Sequence, residues 1–224
     1  MTLINRYPRL SALGLLIFWN FILVGYRVHL TGQKYFIFFL WNLLLAIIPY
    51  ISSEIAIDFE LKNKRNFAVV LLLLAILFLP NAPYIITDLF HLKQRAEMPF
   101  WYDTMVLFSV ALSGLALFYA TIFNIRNLLE RIGGWKIAEA VVVFIGFLCS
   151  YGIYLGRYLR FNSWDVLANP NDLFGEMANH LVNPAVHTRT IGVTLLYGAF
   201  LLVGYWVIKL FQMGNNKILE EAQH

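Results

Sequence analysis

The chain has 224 residues, of which 60% are hydrophobic and only 13% charged, and its mean hydropathy is +0.66. A soluble domain carries about 25% charged residues, so half of the usual solvated surface is missing; this excludes an ordinary water-soluble domain and leaves lipid as the solvent. The net charge of +4 does not mark a nucleic-acid binder, because Lys and Arg are scattered between apolar runs and form no basic face.

A membrane-crossing helix needs roughly 20 mostly apolar residues. Six segments qualify: 10–28, 35–57, 67–86, 101–123, 135–158 and 190–211. The first follows Arg6 and Arg9, but no small-x-small cleavage site comes after it, so it reads as an uncleaved first helix. The expected fold class is all-α: one transmembrane domain, 1–224, built as a bundle of six helices in the lipid bilayer. The six Trp and twelve Tyr suit the two membrane interfaces. Cys149, the single cysteine, excludes an internal disulfide and reads as a small core residue.

Six spans put both termini on one side, here called side A. Side A carries Arg6, Arg9, Lys62, Lys64, Arg65, Arg126, Arg131, Lys136, Lys209 and Lys217. Side B carries Arg27, Lys34, Lys93, Arg95, Arg157, Arg160 and Arg189. Ten against seven places side A, with both termini, in the cytoplasm by the positive-inside rule.

The third span ends in Leu79-Pro80-Asn81-Ala82-Pro83-Tyr84, then Thr87-Asp88 and His91. Each proline lacks an N–H and obstructs the preceding turn, so the helix is expected to kink or break across 80–83, with Asn81 capping a new segment. In α-helical geometry Tyr84, Asp88 and His91 then share one face. The fourth span opens on Trp101-Tyr102-Asp103. Asp103 has three possible roles here: an ion pair with Arg157 or Arg160, a metal ligand, or a cap near the positive helix N-terminus. The fifth ends in Gly156-Arg157-Tyr158-Leu159-Arg160-Phe161-Asn162-Ser163-Trp164-Asp165. Arg157 and Arg160, at i and i+3, present two planar forks suited to carboxylate or phosphate. Asn42, in the side-B half of the second span, is either interhelical glue or a further site residue, and Pro49 below it marks a kink.

Span parity delivers all these groups to side B, whereas the side-A half of the bundle reads as apolar. The expected site is a polar, partly cationic pocket on the extracytoplasmic face. Asp88, His91 and Asp103 are its candidate catalytic residues, and Tyr84, Arg157, Arg160, Asn162 and Asp165 its candidate substrate-binding residues. The long loop 159–189 is expected to hold a short amphipathic helix capped by Asn171 and closed by Pro184, with Leu173, Phe174, Met177, Ala178 and Leu181 on one face. It would lie at the interface as a lid or pack on the bundle top. His29 and His224 read as an interfacial and a tail residue. Asp88, His91, Asp103, Asp165, His180 and His187 are donors suited to zinc or another divalent ion, but no HExxH-type spacing joins them. Neither a metal nor another cofactor is assigned. No GxSxG, GxxxxGK[ST] or GxGxxG signature is present.

The combination Leu79-Pro80-Asn81-Ala82-Pro83-Tyr84, Thr87-Asp88, His91, Trp101-Tyr102-Asp103, Gly156-Arg157, Arg160 and Asn162-Ser163-Trp164-Asp165 resembles domain-of-unknown-function family 1361. The resemblance covers the chain from about the second span onward and implies a polytopic bacterial inner-membrane protein; it implies no reaction, substrate or cofactor. Three functions fit the residues. One is a membrane enzyme or binding protein for an anionic lipid-linked or envelope substrate. Another is a small transporter or accessory subunit with an Asp88–His91 relay. The third is a structural protein whose charges form a salt-bridged cap for a protein partner.

Overall fold

The computed structural model describes residues 8–95 and 97–221, without the side chains of 216–221. Arg6, His224 and the side chain of Lys217 lie outside the described residues. Helices and their connections account for all of the described chain, with no strand among those residues. The chain divides into two compact units, Met1–Ala138 and Glu139–His224, and each is described by itself.

The first unit starts with α1 (Pro8–Thr31), a 3-10 turn (Lys34–Phe36) and α2 (Ile37–Leu61). It continues with α3 (Arg65–Phe78), the single turn α4 (Asn81–Tyr84) and a 3-10 stretch (Ile85–His91). Then comes α5 (Phe100–Gly133), the most buried of the long helices. Its neighbours are α1, α2, α4 and the 3-10 stretch, while α3 packs on α2. The helix α6 (Trp135–Leu159) leads into the second unit, which also holds α7 (Asp165–Ala168), α8 (Pro170–Val182) and α9 (Thr188–Glu221). Among the described residues, six stretches are long and apolar enough to cross a membrane, one for each predicted span.

The differences from expectation have local causes. The fourth span continues as helix to Gly133, through residues 124–133 that hydropathy alone assigns to a loop. Nothing breaks this stretch before Gly133-Gly134, Leu128 is buried, and Arg126 pairs with Glu130 one turn on at 2.8 Å. Gly134 then ends the helix at φ 81°, a conformation that favours glycine. In the long loop, α8 starts at Pro170 with Asn169 in the cap position, two residues ahead of the expected Asn171; proline supplies its first-turn φ at no hydrogen-bond cost.

Around Pro80 and Pro83 the backbone leaves α geometry. Ile76 O accepts from Leu79 N–H at 3.3 Å, and Leu79 O accepts from Ala82 N–H at 3.1 Å, both i−3 bonds. Asn81 Nδ2 donates to Phe78 O at 2.9 Å. Carbonyls deprived of their usual donors are therefore satisfied inside the chain, as a lipid environment requires. Gly114 of α5 faces this break. A Cβ there would stand 2.5 Å from Ala82 O, so only glycine lets the two backbones approach.

Candidate functional site

Asp88, His91 and Asp103 gather at one end of the first unit. Asp88 is buried, and Asn42 Nδ2 donates to its Oδ2 at 2.9 Å across the α2 interface. Asn42 thus reaches the acidic group of the third span. The His91 ring lies edge-on to Phe38 and Tyr35, with centroids 5.7 and 6.4 Å away. The expected shared face of Tyr84, Asp88 and His91 does not survive: residues 85–91 are 3-10, with three residues per turn. Ile85, Asp88 and His91 align instead, and Tyr84 falls about a third of a turn away.

Asp103 is neither a cap nor solvent-facing. Pro99 holds the cap position of α5, and Asp103, in the first turn, is 1% exposed. Its carboxylate takes a two-pronged pair from Arg27: Nε donates to Oδ1 at 2.8 Å and Nη2 to Oδ2 at 3.1 Å. Arg95 Nη1 approaches Oδ2 at 3.5 Å from the other side. The Arg27 guanidinium sits 3.6 Å from the Phe36 ring centroid, and that of Arg95 sits 5.2 Å from Tyr35 and 5.3 Å from Phe36. Cation–π attraction of this kind strengthens as water is excluded. Tyr102, next in sequence, donates its hydroxyl to Leu23 O at 2.8 Å and ties α5 to α1.

One aromatic shelf, Tyr35-Phe36 with Phe38, therefore supports Arg27 and Arg95 on one flank and His91 on the other. Arg95 Nη2 donates to His91 O at 3.4 Å, which links the two flanks. Two guanidiniums share one carboxylate, and Arg27 Nη1 is buried without a hydrogen-bond partner among the described residues. Sequence reasoning counted Arg27 and Arg95 as topogenic charge. The missed signals are positional. Arg27 lies a turn inside its helix, where an arginine needs a buried partner, and Arg95 follows His91 by four residues.

The apolar half expected toward side A is also corrected. Along α5 the buried polar residues run from Asp103 through Ser109, Ser113 and Thr121 to Asn124. Asn20 Nδ2 donates to Ser113 Oγ at 2.7 Å, and Asn124 Nδ2 donates to Ser53 Oγ at 3.1 Å and Glu54 Oε1 at 2.9 Å. Each is a small polar residue inside an apolar helix, which hydropathy averages away.

The second unit holds the other candidates. Arg157 stands half-buried in the last turn of α6, and Arg160 is exposed beyond its end at φ 63°. The i, i+3 alignment expected of the two presumes a helix through both; Arg160 has instead turned into the left-handed region as the helix terminates, with Phe161 N–H donating back to Leu155 O at 3.1 Å. Asp165 is buried, and its Oδ2 accepts from Asn162 N–H at 2.6 Å while Oδ1 accepts from Asn169 Nδ2 at 3.2 Å. That carboxylate shapes the turn into α7.

An unforeseen cluster surrounds His180 of α8. Tyr151 Oη lies 2.8 Å from its Nδ1, and Glu176 Oε1 lies 3.4 Å from its Nε2. A neutral ring that accepts from the Tyr151 hydroxyl at Nδ1 keeps its proton on Nε2, which is buried near Glu176 without a hydrogen-bond partner among the described residues. The His187 and Tyr154 rings pack edge-on, with centroids 4.5 and 5.6 Å away. Burial, then the neighbouring His187, hold the His180 pKa below its usual value, with Glu176 opposing. Among the described residues no three His, Cys, Asp or Glu side chains stand together as a metal-holding group.

No curated protein and no solved structure matches the chain. The model of a family described as protein of unknown function, DUF1361, matches residues 41–203. That region holds Asn42, Asp88, His91, Asp103 and the α6–α8 turn, and it spans most of the sequence. The chain belongs to the DUF1361 family.

Proposed function

We propose that this is a multi-pass protein of the bacterial inner membrane, with both termini cytoplasmic, that holds an anionic lipid-linked or envelope substrate at the extracytoplasmic end of its first unit. One observation carries the reading: Arg27 and Arg95 converge on the single carboxylate of Asp103 over an aromatic shelf. The cluster keeps a surplus positive charge in a place largely shielded from water, where an anion is attracted more strongly than in bulk solvent. Arg95, 23% exposed, is the arm that meets the ligand, and Arg27 holds the anchoring carboxylate. Asp88 and His91, aligned on the 3-10 stretch beside the shelf, are the acid–base pair if the protein turns its ligand over. Arg157 and Arg160 carry the same anion-binding chemistry in the second unit, and α8, with Phe174 and Leu181 exposed, is suited to lie in the membrane interface.

A transporter with an Asp88–His91 relay draws on a separate observation, the buried polar series along α5 that continues toward the opposite end of the first unit.

The binding reading is tested with a polyprenyl monophosphate added to the purified chain, bound lipid being counted by native mass spectrometry. Arg95→Gln is expected to weaken binding about tenfold, as loss of one charge-assisted contact implies. Lys93→Gln, an exposed cation nearby, is expected to leave it unchanged. Equal losses in both variants reduce the effect to general surface charge and reject the site.

A further inference from the structure

At the other end of the first unit lies a cleft of about 640 Å³. It opens where the start of α1, the last turns of α2 and the last turns of α5 meet. Along α5 this is about 30 Å from Asp103, at 1.5 Å per residue. Its walls are aliphatic, with Leu10, Ile51, Ile55 and Leu128 among them. Its floor is polar and built: Asn124 and Tyr50 are each 3% exposed, Asn124 Nδ2 donates to Glu54 Oε1 and Ser53 Oγ, and the Tyr50 hydroxyl bonds Glu54. Two exposed arginines, Arg9 and Arg131, stand among the lining residues, and neither has an ion-pair partner among the described residues.

We infer that this cleft binds a phosphate-bearing amphiphile, with the phosphate between Arg9 and Arg131 and the aliphatic part along Leu10, Ile51, Ile55 and Leu128. The charge balance favours a singly charged phosphodiester. The lining carries two guanidiniums and one carboxylate, and the Glu54 charge is already engaged by Tyr50 and Asn124. One unit of positive charge is left for the ligand. Guanidinium forks match phosphate oxygens in pairs, and aliphatic walls exclude water from that pairing. The Glu54 carboxylate on the floor also offers an acceptor for a headgroup hydroxyl. The chemistry is shared by a membrane phospholipid and by a soluble phosphodiester, and only the first uses the aliphatic walls.

The test titrates short-chain phosphatidylglycerol into the full chain in neutral detergent and counts bound molecules by native mass spectrometry. The expected result is saturable binding that weakens about tenfold or more in the Arg9→Gln/Arg131→Gln double variant, both positions being exposed and outside the folded core. Lys93→Gln, an exposed cation at the opposite end, is expected to leave this binding intact. Glycerophosphodiester without acyl chains is the second ligand. Failure to compete at matched concentration assigns the cleft to lipid, and full competition assigns it to a soluble phosphodiester. Ile55→Trp, placed on an exposed wall, separates the two again, since it weakens only a ligand that uses the wall. Binding equal in parent and double variant overturns the proposal.

Discussion

At the scale of single residues, the chain's most constrained charge is Asp103. Arg27 is 2% exposed and Asp103 1%, so neither charge has water to fall back on. Removing one partner of such a pair leaves the other desolvated and costs about 3–5 kcal/mol, whereas replacing both with apolar groups costs far less. Asp103→Asn is therefore expected to lower the thermal midpoint strongly. The Arg27→Met/Asp103→Leu double variant should lose markedly less than the sum of the two single variants. A double variant that loses the full sum would show that the two side chains act independently and reject the pair. The sequence displayed Asp103 because an acid beside Trp101-Tyr102 is conspicuous. It hid the partner, because Arg27 is separated by 76 positions and one arginine near a span end looks like any topogenic charge. Arg160 is a smaller case of the same kind. Its identity suggested a clamp on a continuing helix, but its backbone is in the left-handed region, which no residue type other than glycine or asparagine advertises.

At the scale of elements, hydropathy located all six long helices because twenty apolar residues in a row admit little else. It could not see what happens inside them. Pro80 and Pro83 announced an interruption, but not that residues 85–91 continue as 3-10 helix beyond it. Tyr84 accordingly lost its alignment with Asp88 and His91. The helix α8 was legible from its amphipathic pattern, but its docking residue was not: His180 looked like one donor among six, and its partner Tyr151 lies in an apolar span. That contact predicts a pH dependence. The groups around the ring are Tyr151 and Tyr154 of α6, Glu176 of α8 itself, and His187. Burial and His187 lower the folded pKa, so the unfolded ring binds its proton more readily than the docked one. The docked helix is thus fully stabilised above the ordinary histidine pKa of about 6.5. That stabilisation is lost as pH falls through the lowered folded value. After correction for the intrinsic rate, which itself falls on acidification, the protection of the Pro170–Val182 amides should decline as pH drops below about 6.5. His180→Gln, which cannot titrate, should flatten the response; an unchanged response in that variant would assign it to another group.

At the scale of the whole molecule, orientation decides which of the two polar ends of the first unit meets the envelope. The charge count of ten against seven treats every arginine as topogenic. Arg27, however, is buried and neutralised by Asp103, and a paired, buried guanidinium does not resist translocation as an exposed one does. Taking it out leaves ten against six (seven less one), which strengthens the assignment of the Lys62–Arg65 loop to the cytoplasm. Cys149 is buried and free, so its replacement by alanine gives a quiet background for single-cysteine reporters. Lys62 and Lys93 are both exposed and flank α3 and its 3-10 continuation at opposite ends. In intact cells an impermeant maleimide is expected to label Lys93→Cys and to spare Lys62→Cys until the membrane is opened. The reverse pattern would put the Arg27–Asp103–Arg95 cluster in the cytoplasm and the phosphate cleft outside. Labelling of both in intact cells would mean that the third span does not cross. The expected pattern leaves the two ends with different tasks. Under the proposed orientation the aromatic shelf would face extracytoplasmic ligands, and the end with Arg9 and Arg131 would face the anionic inner leaflet, where a phosphate-binding cleft would have its ligand at high local concentration.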